Sequence, residues 1–355
     1  MKVAILGSLK SPHVIRWAIS LSNRGIEVHV ISMHKSRSVC KKDFKFHYLK
    51  YPKPFGYLLN ILELKRVLAH LNPDIIHSFY ALGYGTLGTL SGFKPHVLSV
   101  MGSDIYDDIK NPIMKRFILN NIRNADVVCS TSRIMAKQIE KISGLDENLI
   151  EYTPFGINTE VFKHGGNKEN NREIIFGTVK FLEDKYGIDV LLRAYALFRS
   201  MNPQIKSKLV IVGDGSKEII LKKLAKKLGV FKYCRFEGYQ PHAKIPSFLQ
   251  TFDVYLALSR LDSESFGVAI LEASACEVPV IVSNVGGLPE VVLHNVTGYV
   301  VDKENPGAAC KAMTKLALNS ELRLLLGQKA RERVISDYDW ANSIKKMLKI
   351  YQRLV

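Results

Sequence analysis

One stretch of the chain, E-S-F-G-V-A-I-L-E-A-S-A-C-E-V-P-V-I-V-S-N-V-G-G-L-P-E from Glu264 to Glu290, combines a helix pattern, a strand pattern and a glycine-rich loop. Val268 to Cys276 is an apolar, alanine-rich run at helical spacing, and Pro279 to Ser283 is a short β-branched run. The stretch therefore predicts a loop, a helix, a tight turn and a buried strand. This succession is typical of one unit of an α/β fold.

The start of the predicted helix is a candidate anion site. Ser265, Phe266 and Gly267 directly precede its first residue, Val268. The first N–H groups of a helix and the positive end of its dipole favour an anion such as a diphosphate. Gly267 has no side chain, so the main chain and a ligand can approach closely. These four residues are candidate phosphate contacts.

Two glutamates, Glu264 before the helix and Glu272 inside it, flank this anion site. Carboxylates repel phosphates but accept hydrogen bonds from hydroxyl groups, so the arrangement suits a ligand with sugar hydroxyls on both sides of a diphosphate. Such a ligand is a nucleotide-sugar. The alternative, on spacing alone, is an ordinary α/β unit whose glutamates are solvated.

Together with G-G-L-P-E at 286–290, the two glutamates resemble the E-x7-E signature of the retaining glycosyltransferases of family 4. The resemblance implies an α/β protein with the GT-B fold, in which two Rossmann-like β/α/β domains face a central cleft and a C-terminal helix crosses back to the first domain. It implies that Glu264 binds hydroxyls of the donor sugar, that Glu272 binds the ribose hydroxyls, and that Phe266 and Gly267 contact the phosphates. The donor would carry a hexose-type sugar on a nucleoside diphosphate, UDP or alternatively GDP. Transfer of this sugar would retain the configuration at its anomeric carbon.

The second half of the chain offers further donor contacts. Lys180 and Lys185 bracket the loop after a predicted strand, and the resemblance gives both the role of neutralising diphosphate oxygens. Most relatives have arginine at the position of Lys180, and a lysine there keeps the charge without the bidentate geometry. Further candidates at the ends of later strands are Gly213 in V-G-D-G, and Gly238 and Tyr239, which in the family lie beside the nucleotide base.

The first half of the chain begins as a nucleotide-fold unit without a dinucleotide motif. Its first predicted strand and helix are joined by G-S-L-K-S-P-H, which lacks G-x-G-x-x-G. The main sequence evidence for a dehydrogenase is therefore absent. The family often has a Gly-Gly pair in this loop, which this sequence lacks, and His13 and Arg16 lie where the loop meets the helix.

Two polar residues that follow predicted strands are candidates for the acceptor side, because ligands of open α/β sheets lie beyond the carboxyl ends of the strands. His77 ends P-D-I-I-H, and Asp104 lies in M-G-S-D after the strand that ends near Val100. Relatives commonly carry a histidine where this chain has Met101, so Asp104 is the expected acceptor-side contact. For His77, a half-buried histidine with satisfied hydrogen bonds is the preferred interpretation.

The length of 355 residues and the hydrophobic content of 47% suit two domains with proper cores. We expect domains at 1–164 and 173–336, a polar, glycine-rich linker at 165–172, and the returning helix at 337–355. Asp337 and Asp339 form a D-x-D pair, which would suggest a metal ion in a different glycosyltransferase fold. Asp339 is better interpreted as the N-cap of the helix that starts at Trp340, and no metal or cofactor is expected.

The ends and the cysteines of the chain indicate a cytoplasmic protein. The N-terminal M-K-V-A-I-L-G-S offers one basic residue and too short an apolar run for a signal peptide, and no apolar run is long enough to cross a bilayer. The five cysteines show no metal-binding or disulfide spacing: Cys40, Cys129, Cys234, Cys276 and Cys310.

The formal net charge of +17 should attract polyanions or anionic lipid headgroups. The densest basic cluster runs from Lys35 to Lys53. Nucleic acid binding would normally bring a basic stripe interleaved with aromatic residues or a recognisable reading motif, and we find neither. A membrane surface fits better, since the resemblance implies lipid-linked or membrane-derived acceptors for many relatives. The alternative is a lysine-rich composition without a partner.

Three function classes remain. A glycosyltransferase requires Glu264, Glu272 and the two lysines together. A GT-B sugar epimerase or phosphorylase would share the architecture but should lack this combination, and a nucleic-acid-binding protein would require neither glutamate. The first class fits best. We expect transfer to a hydroxyl of a glycan or a lipid-linked acceptor, in cell-surface polysaccharide or glycolipid synthesis, with possible peripheral contact to the membrane.

Overall fold

The computed structural model describes residues 1–36, 44–166 and 173–355. The chain divides into two compact units, one of which contains both ends of the chain. Unit 1 comprises Met1–Pro154 and Ser343–Val355, and unit 2 comprises Phe155–Asn342. Most of the expected linker, residues 167–172, lies outside the described residues.

In the described part of unit 1, seven parallel strands form one sheet in the order β3-β2-β1-β4-β5-β6-β7. The strands are β1 (Lys2–Leu6), β2 (Glu27–Ser32), β3 (Lys45–Tyr48), β4 (Ile75–Phe79), β5 (His96–Ser99), β6 (Val127–Ser130) and β7 (Ile150–Tyr152). The helices between them are α1 (Pro12–Ser22), α2 (Gly56–Leu59), α3 (Ile61–Leu71), α4 (Tyr84–Ser91), α5 (Ser103–Tyr106), α6 (Pro112–Asn124) and α7 (Arg133–Ser143). Strands β4 and β5 are buried along their whole length, as expected for the centre of a parallel sheet covered on both faces.

Capping side chains fix the starts of two helices that pack on this sheet. The Asn111 side chain accepts hydrogen bonds from the N–H groups of Ile113 and Met114 at 3.0 and 3.2 Å, directly before α6. The Ser132 hydroxyl accepts one from the N–H of Met135 at 3.2 Å, at the start of α7. These side chains satisfy N–H groups that a helix leaves without internal partners.

In the described part of unit 2, six parallel strands form one sheet in the order β10-β9-β8-β11-β12-β13. The strands are β8 (Ile174–Val179), β9 (Ser207–Val212), β10 (Cys234–Gly238), β11 (Val254–Ala257), β12 (Val280–Ser283) and β13 (Gly298–Val301). The helices are α8 (Ile188–Met201), α9 (Glu218–Lys227), α10 (Ile245–Leu249), α11 (Val268–Ala275), α12 (Leu288–Val291), α13 (Pro306–Leu318) and α14 (Ser320–Asp337). The stretch from Glu264 to Glu290 thus forms the predicted succession of loop, helix, turn, strand and loop as far as Gly287, and its last three residues begin α12.

The last helix, α15 (Trp340–Leu354), packs most of its length in unit 1. The Tyr351 hydroxyl lies 2.6 Å from Nδ1 of His77 in β4, and the Arg353 guanidinium donates to the Glu151 carboxylate at 2.6 Å. Five residues of α15 are buried: Ser343, Ile344, Met347, Ile350 and Tyr351. The helix is thereby part of the unit formed by the N-terminal residues, as expected.

The boundary between the units differs from the expected one. Residues 155–164 were expected in the first domain, but they belong to unit 2. The reason is main-chain pairing with the segment before α15: the N–H of Ile157 donates to the oxygen of Tyr338 at 2.7 Å, and the N–H of Trp340 donates to the oxygen of Ile157 at 2.9 Å. This pairing lies far beyond the local sequence, so composition gave no sign of it.

The carboxylate of Asp339 caps the start of α15. Its Oδ1 accepts from the N–H of Ala341 at 2.8 Å, and its Oδ2 accepts from the Thr159 hydroxyl at 2.8 Å. This geometry confirms the N-cap interpretation of Asp339. Among the helices of the described residues, none combines the length and the apolar character needed to cross a membrane.

Candidate functional site

Two loops at the carboxyl edge of the unit 2 sheet are tied together around the G-G-L-P-E sequence. The N–H of Gly287 donates to the main-chain oxygen of Glu264 at 3.1 Å, and the N–H of Gly286 donates to the Asp262 carboxylate at 3.1 Å. A side chain at Gly286 would collide with the main chain of Glu264, and one at Gly287 would collide with that of Ser265. The glycine pair therefore allows the loop that follows β12 to hold the loop that precedes α11.

Helix α11 begins directly after Gly267, which has a left-handed backbone conformation. The preceding residue, Phe266, has a buried aromatic ring. Gly267 has a φ of 85°, and its oxygen accepts from the N–H groups of Ile270 and Leu271. The Phe266 ring packs edge-on against Phe155 and Tyr338, with centroids 5.7 and 5.8 Å away. Because the Phe266 side chain is anchored in the interior of unit 2, its main chain is the part that a ligand could contact.

Lys180 and Glu264 form an ion pair next to this helix. Lys180 Nζ lies 2.8 Å from Glu264 Oε1, and only 9% of each side chain is exposed. The Lys180 ammonium also lies 5.1 Å from the centroid of the Tyr186 ring. Burial, with a smaller effect from the Glu264 carboxylate, raises the pKa of Tyr186 to about 12, so this phenol stays neutral at physiological pH.

Lys185 belongs to the same group. Its Nζ donates to the main-chain oxygen of Ser263 at 2.9 Å and lies 5.6 Å from the centroid of the Tyr186 ring. The loop after β8 thus brings two ammonium groups to the residues that precede α11. Lys180, Lys185, Glu264 and Ser265, each predicted from the sequence, are brought together in unit 2.

Glu272 of α11 has a histidine partner that the sequence analysis missed. Its carboxylate lies 2.8 Å from Nε2 of His242, and the exposed fractions of the two side chains are 8% and 72%. The His242 ring also lies against Phe162, with centroids 5.5 Å apart. The only sequence signal for His242 was its place in the loop after β10, three residues beyond Tyr239.

A third part of the site is built by the ends of β9 and β10. The N–H of Gly213 donates to the oxygen of Gly238 at 2.8 Å, and both glycines have positive φ values, 131° and 65°. A side chain at Gly213 would collide with the main-chain oxygen of Lys180. Tyr239, which follows Gly238, is 67% exposed. These contacts connect the ends of β8, β9 and β10.

Asp104 lies in unit 1, where its carboxylate is completely buried. Oδ2 accepts from the N–H of Ala81 at 2.8 Å, and Oδ1 accepts from those of Gly102 and Met101 at 2.8 and 3.1 Å. Burial raises the pKa of Asp104 to about 6, against the opposing effect of these N–H groups. A side chain without exposed surface cannot contact an acceptor hydroxyl. Asp104 therefore has a structural role in place of the expected acceptor-side contact, because its carboxylate fixes the loops after β4 and β5.

His77 also differs from its expected position. It lies in the middle of β4 rather than at the strand end, and it is fully buried. Its ring nitrogens contact the hydroxyls of Tyr351 and Ser99 at 2.6 and 2.8 Å. Burial, with a smaller effect from His96, lowers the pKa of His77 to about 3. The contacts of His77 are those of a core histidine with satisfied hydrogen bonds, the preferred interpretation, and they give no support to an acceptor-side role.

The remaining acceptor-side candidates lie at the start of α1. His13 and Arg16 are both partly exposed. Arg16 lines a surface pocket of about 440 Å³ together with Leu9, Lys10 and Ile15. Their proposed contact with an acceptor stays a prediction.

The acidic residues before α15 have protein partners. Asp337 accepts from the Ser336 hydroxyl at 2.8 Å and lies 3.5 Å from the Arg333 guanidinium. Within residues 1–36, 44–166 and 173–355, no group of three or more histidine, cysteine, aspartate or glutamate side chains is arranged to hold a metal ion.

Two parallel-sheet α/β units, with lysines, a helix N-terminus and two carboxylates collected at the carboxyl edge of the second sheet, define the GT-B class of glycosyltransferases. Comparison with known proteins gives the same result for each unit. A family model described as glycosyl transferases group 1 matches residues 159–333, and one described as glycosyl transferase 4-like matches residues 2–132.

Individual relatives share most of their length with the chain. An uncharacterized glycosyltransferase of Methanocaldococcus jannaschii is 28% identical, with 100% of this chain and 99% of the relative covered. A D-inositol 3-phosphate glycosyltransferase of Corynebacterium jeikeium is 30% identical, with coverages of 79% and 72%. The crystal structure of Anabaena HepE in complex with UDP and glucose has a TM-score of 0.83 at 17% identity, with both chains fully covered. The chain belongs to the group 1 glycosyltransferases.

Proposed function

We propose that this protein transfers a hexose-type sugar from a nucleoside-diphosphate sugar to a hydroxyl of a glycan or a lipid-linked acceptor, with retention of configuration. One observation carries the proposal. Unit 2 holds two ammonium groups and one carboxylate before α11 and a second carboxylate on α11, and these charges suit the diphosphate and the sugar hydroxyls of such a donor. Its natural setting would be the synthesis of a cell-surface polysaccharide or glycolipid.

The diphosphate is the part of the donor where negative charge develops when the sugar leaves. Lys180 and Lys185 are held beside the N-terminus of α11 by Glu264 and by the oxygen of Ser263. Fixed cations and helix N–H groups stabilise a leaving diphosphate without rearranging during the reaction. This set of groups supports a mechanism that does not require a metal ion.

The carboxylates supply the hydroxyl-binding half of the site. The Tyr255 hydroxyl donates to the oxygen of Val179 at 3.2 Å, and burial raises its pKa far above the usual range. The negative charges of Glu264 and Glu272 raise the pKa of Tyr255 further, with smaller effects than burial. We assign Glu264 to hydroxyls of the donor sugar and Glu272 to the ribose.

In the proposed reaction, the bond between the anomeric carbon and the diphosphate oxygen breaks, and its electrons remain on the diphosphate. The acceptor oxygen bonds to the anomeric carbon on the same face. The acceptor proton passes to the departing phosphate oxygen, so no protein nucleophile is required. Lys180 and Lys185 stabilise the diphosphate charge during this step.

UDP is the first choice for the donor nucleotide, and GDP is the alternative. The solved structure of Anabaena HepE carries UDP, and a related mannosyltransferase of Mycolicibacterium smegmatis is named as GDP-mannose-dependent. Calorimetric titration with each nucleotide distinguishes the two.

The test compares UDP binding by the wild type, Glu272→Gln and the control variant Glu332→Gln. Glu332 is an exposed glutamate of α14 that pairs with Lys329, so its substitution removes the same charge from a solvent-facing side chain of another helix. A hydrogen bond to a charged group contributes about 1.5–3 kcal/mol, so Glu272→Gln should weaken UDP binding by about tenfold or more. Glu332→Gln should bind like the wild type.

A chelation arm tests the absence of a metal requirement. UDP affinity and release of sugar from the donor should be the same with and without EDTA.

Equal UDP binding by Glu272→Gln and the wild type would remove Glu272 from the donor site. Loss of donor turnover in EDTA, restored by magnesium or manganese, would contradict the metal-independent mechanism.

A further inference from the structure

An exposed apolar ridge lies on unit 1 where the chain enters α2 and α3. Its members are Phe55, Leu58, Leu59 and Leu62, whose exposed fractions are 75%, 50%, 57% and 70%. Their spacing places them on one face of successive helical turns. Contiguous large apolar side chains in water are unfavourable and mark an interaction surface.

The opposite side of the same segment is firmly packed, so the apolar ridge is held in place. Leu64, Leu68 and Leu71 of α3 are buried in the core of unit 1. The buried Asn60 side chain binds both main-chain groups of Tyr51, at 3.0 and 2.8 Å. These two hydrogen bonds connect the chain before α2 to Asn60, which lies between α2 and α3. The main chain that carries Phe55 is therefore held at both ends.

The border of the apolar ridge is basic. Lys50, Lys53, Lys65 and Arg66 are all exposed, and the only acidic residue from Lys50 to His70 is Glu63. The Glu63 carboxylate accepts from the N–H of Lys50 at 2.9 Å. Long basic side chains beside exposed apolar ones are suited to anionic lipid headgroups, since the ammonium groups reach the phosphates while the apolar groups enter the acyl region.

A second group with the same character lies on α6. Ile113, Met114 and Phe117 are exposed by 72%, 39% and 37%, and Lys115 and Arg116 lie between them in the sequence. Helix α6 packs against α4, and so do α2 and α3. Both exposed groups therefore lie on helices that contact α4.

We propose that the apolar ridge and its basic border dock unit 1 on an anionic membrane surface, with Phe55, Leu58, Leu59 and Leu62 inserted below the headgroups. Charge complementarity selects this occupant, because a bilayer supplies both the anionic layer and the apolar layer that the two parts of the surface require. The proposal is independent of the donor and of the transfer reaction.

The experiment measures sedimentation of the full chain with vesicles of phosphatidylcholine alone or mixed with phosphatidylglycerol. The test variant is Leu58→Ser/Leu59→Ser. The matched control is Leu324→Ser/Leu325→Ser, an adjacent leucine pair on α14 with exposed fractions of 60% and 52%. Far-UV circular dichroism and melting temperature confirm that each variant is folded.

The wild type should bind mixed vesicles and bind neutral ones much more weakly, with a steep loss in salt. Loss of two inserted leucines should lower the partition coefficient by about tenfold or more, whereas the control should stay within about twofold. Lys53→Glu/Lys65→Glu should weaken binding by at least about fivefold per residue on anionic vesicles.

Three results would overturn the proposal. One is equal binding of the wild type to both kinds of vesicle or to neither, and another is wild-type binding by Leu58→Ser/Leu59→Ser. The third is a wild-type dimer in light scattering that Leu58→Ser/Leu59→Ser dissociates, because the occupant of the ridge would then be a second copy of the chain.

Discussion

Lys180 and Glu264 are two charged side chains that the protein holds largely out of water, with 9% of each exposed. Removing charges from water is costly, and their contact at 2.8 Å offsets part of that cost. The pair also keeps both groups in position before a donor arrives. In the proposed complex, the diphosphate becomes a further partner of Lys180, and sugar hydroxyls donate to Glu264.

Lys180→Met should reduce the free energy of unfolding of unit 2 by about 3 kcal/mol, because it leaves the Glu264 carboxylate buried without its partner. The double variant Lys180→Met/Glu264→Gln should lose less than the sum of the two single losses. Denaturant titration in a Trp17→Phe background makes Trp340, the other of the two tryptophans, the reporter of unit 2. Additive losses would show that the two side chains do not stabilise each other.

At the scale of single residues, the sequence predicted which groups lie together before α11 better than it predicted their partners. The resemblance assigned Glu264, Lys180 and Lys185 to one donor site, and the structure brings these side chains together. The contact between His242 and Glu272 joins residues from different elements, and periodicity carries no information about such pairs. Asp104 was placed correctly after β5, but a position after a strand does not show whether a side chain turns outward or inward.

At the scale of elements, the loops after β4 and β5 depend on one inward-turned carboxylate. Asp104 accepts main-chain N–H groups from Ala81 in one loop and from Met101 and Gly102 in the other. Its pKa is raised by burial from 3.8 to about 6. The folded state therefore holds the Asp104 proton more tightly than the unfolded chain does. The contribution of Asp104 to stability is full below about pH 4 and declines as the pH rises through 6.

Asp104→Asn should remove this pH dependence. The free energy of unfolding of the wild type, measured relative to Asp104→Asn, should fall by up to about 3 kcal/mol between pH 4 and pH 7. A Trp340→Phe background leaves Trp17, buried in α1, as the reporter of unit 1. A difference between the two proteins that stays constant with pH would mean that Asp104 titrates normally.

The elements most visible in the sequence were those with one clear periodicity. The predicted helix and strand in the stretch from Glu264 to Glu290 each differ from α11 and β12 by one residue at one end. No helix was predicted for α2, α3 or α6, whose exposed faces carry leucine, isoleucine and phenylalanine. Helix α2 has only four residues, too few for a periodic pattern, whereas α3 and α6 each bury one face in unit 1 and have the spacing that periodicity can detect.

At the scale of the whole molecule, unit 1 carries two histidines in its central strands that are neutral when folded. Burial lowers the pKa of His77 to about 3 and that of His96 to about 4. His96 Nε2 lies 2.9 Å from the Ser78 hydroxyl. The unfolded chain takes up protons at both histidines near pH 6.5, so it binds more protons than the folded state, and acid favours unfolding.

Unit 1 should therefore lose about 2 kcal/mol of stability between pH 7 and pH 5, even after the smaller opposite effect of Asp104. His77→Gln should remove about half of the histidine contribution. Urea titrations of the Trp340→Phe protein at several pH values measure the loss. If the free energy of unfolding of His77→Gln changed with pH as steeply as that of the protein with His77, this histidine would not be the group that takes up a proton on unfolding.

Unit 1 is assembled from Met1–Pro154 and Ser343–Val355, and this arrangement sets an order of events during protein synthesis. The strands of its sheet leave the ribosome before unit 2, whereas Met347, Ile350 and Tyr351 are made after unit 2. Until they arrive, His77 lacks the Tyr351 hydroxyl, and the surface that α15 covers is open to water. The nascent chain must therefore keep this half-built unit soluble while all of unit 2 is translated, and a ribosome that stops early releases a unit 1 that cannot be completed.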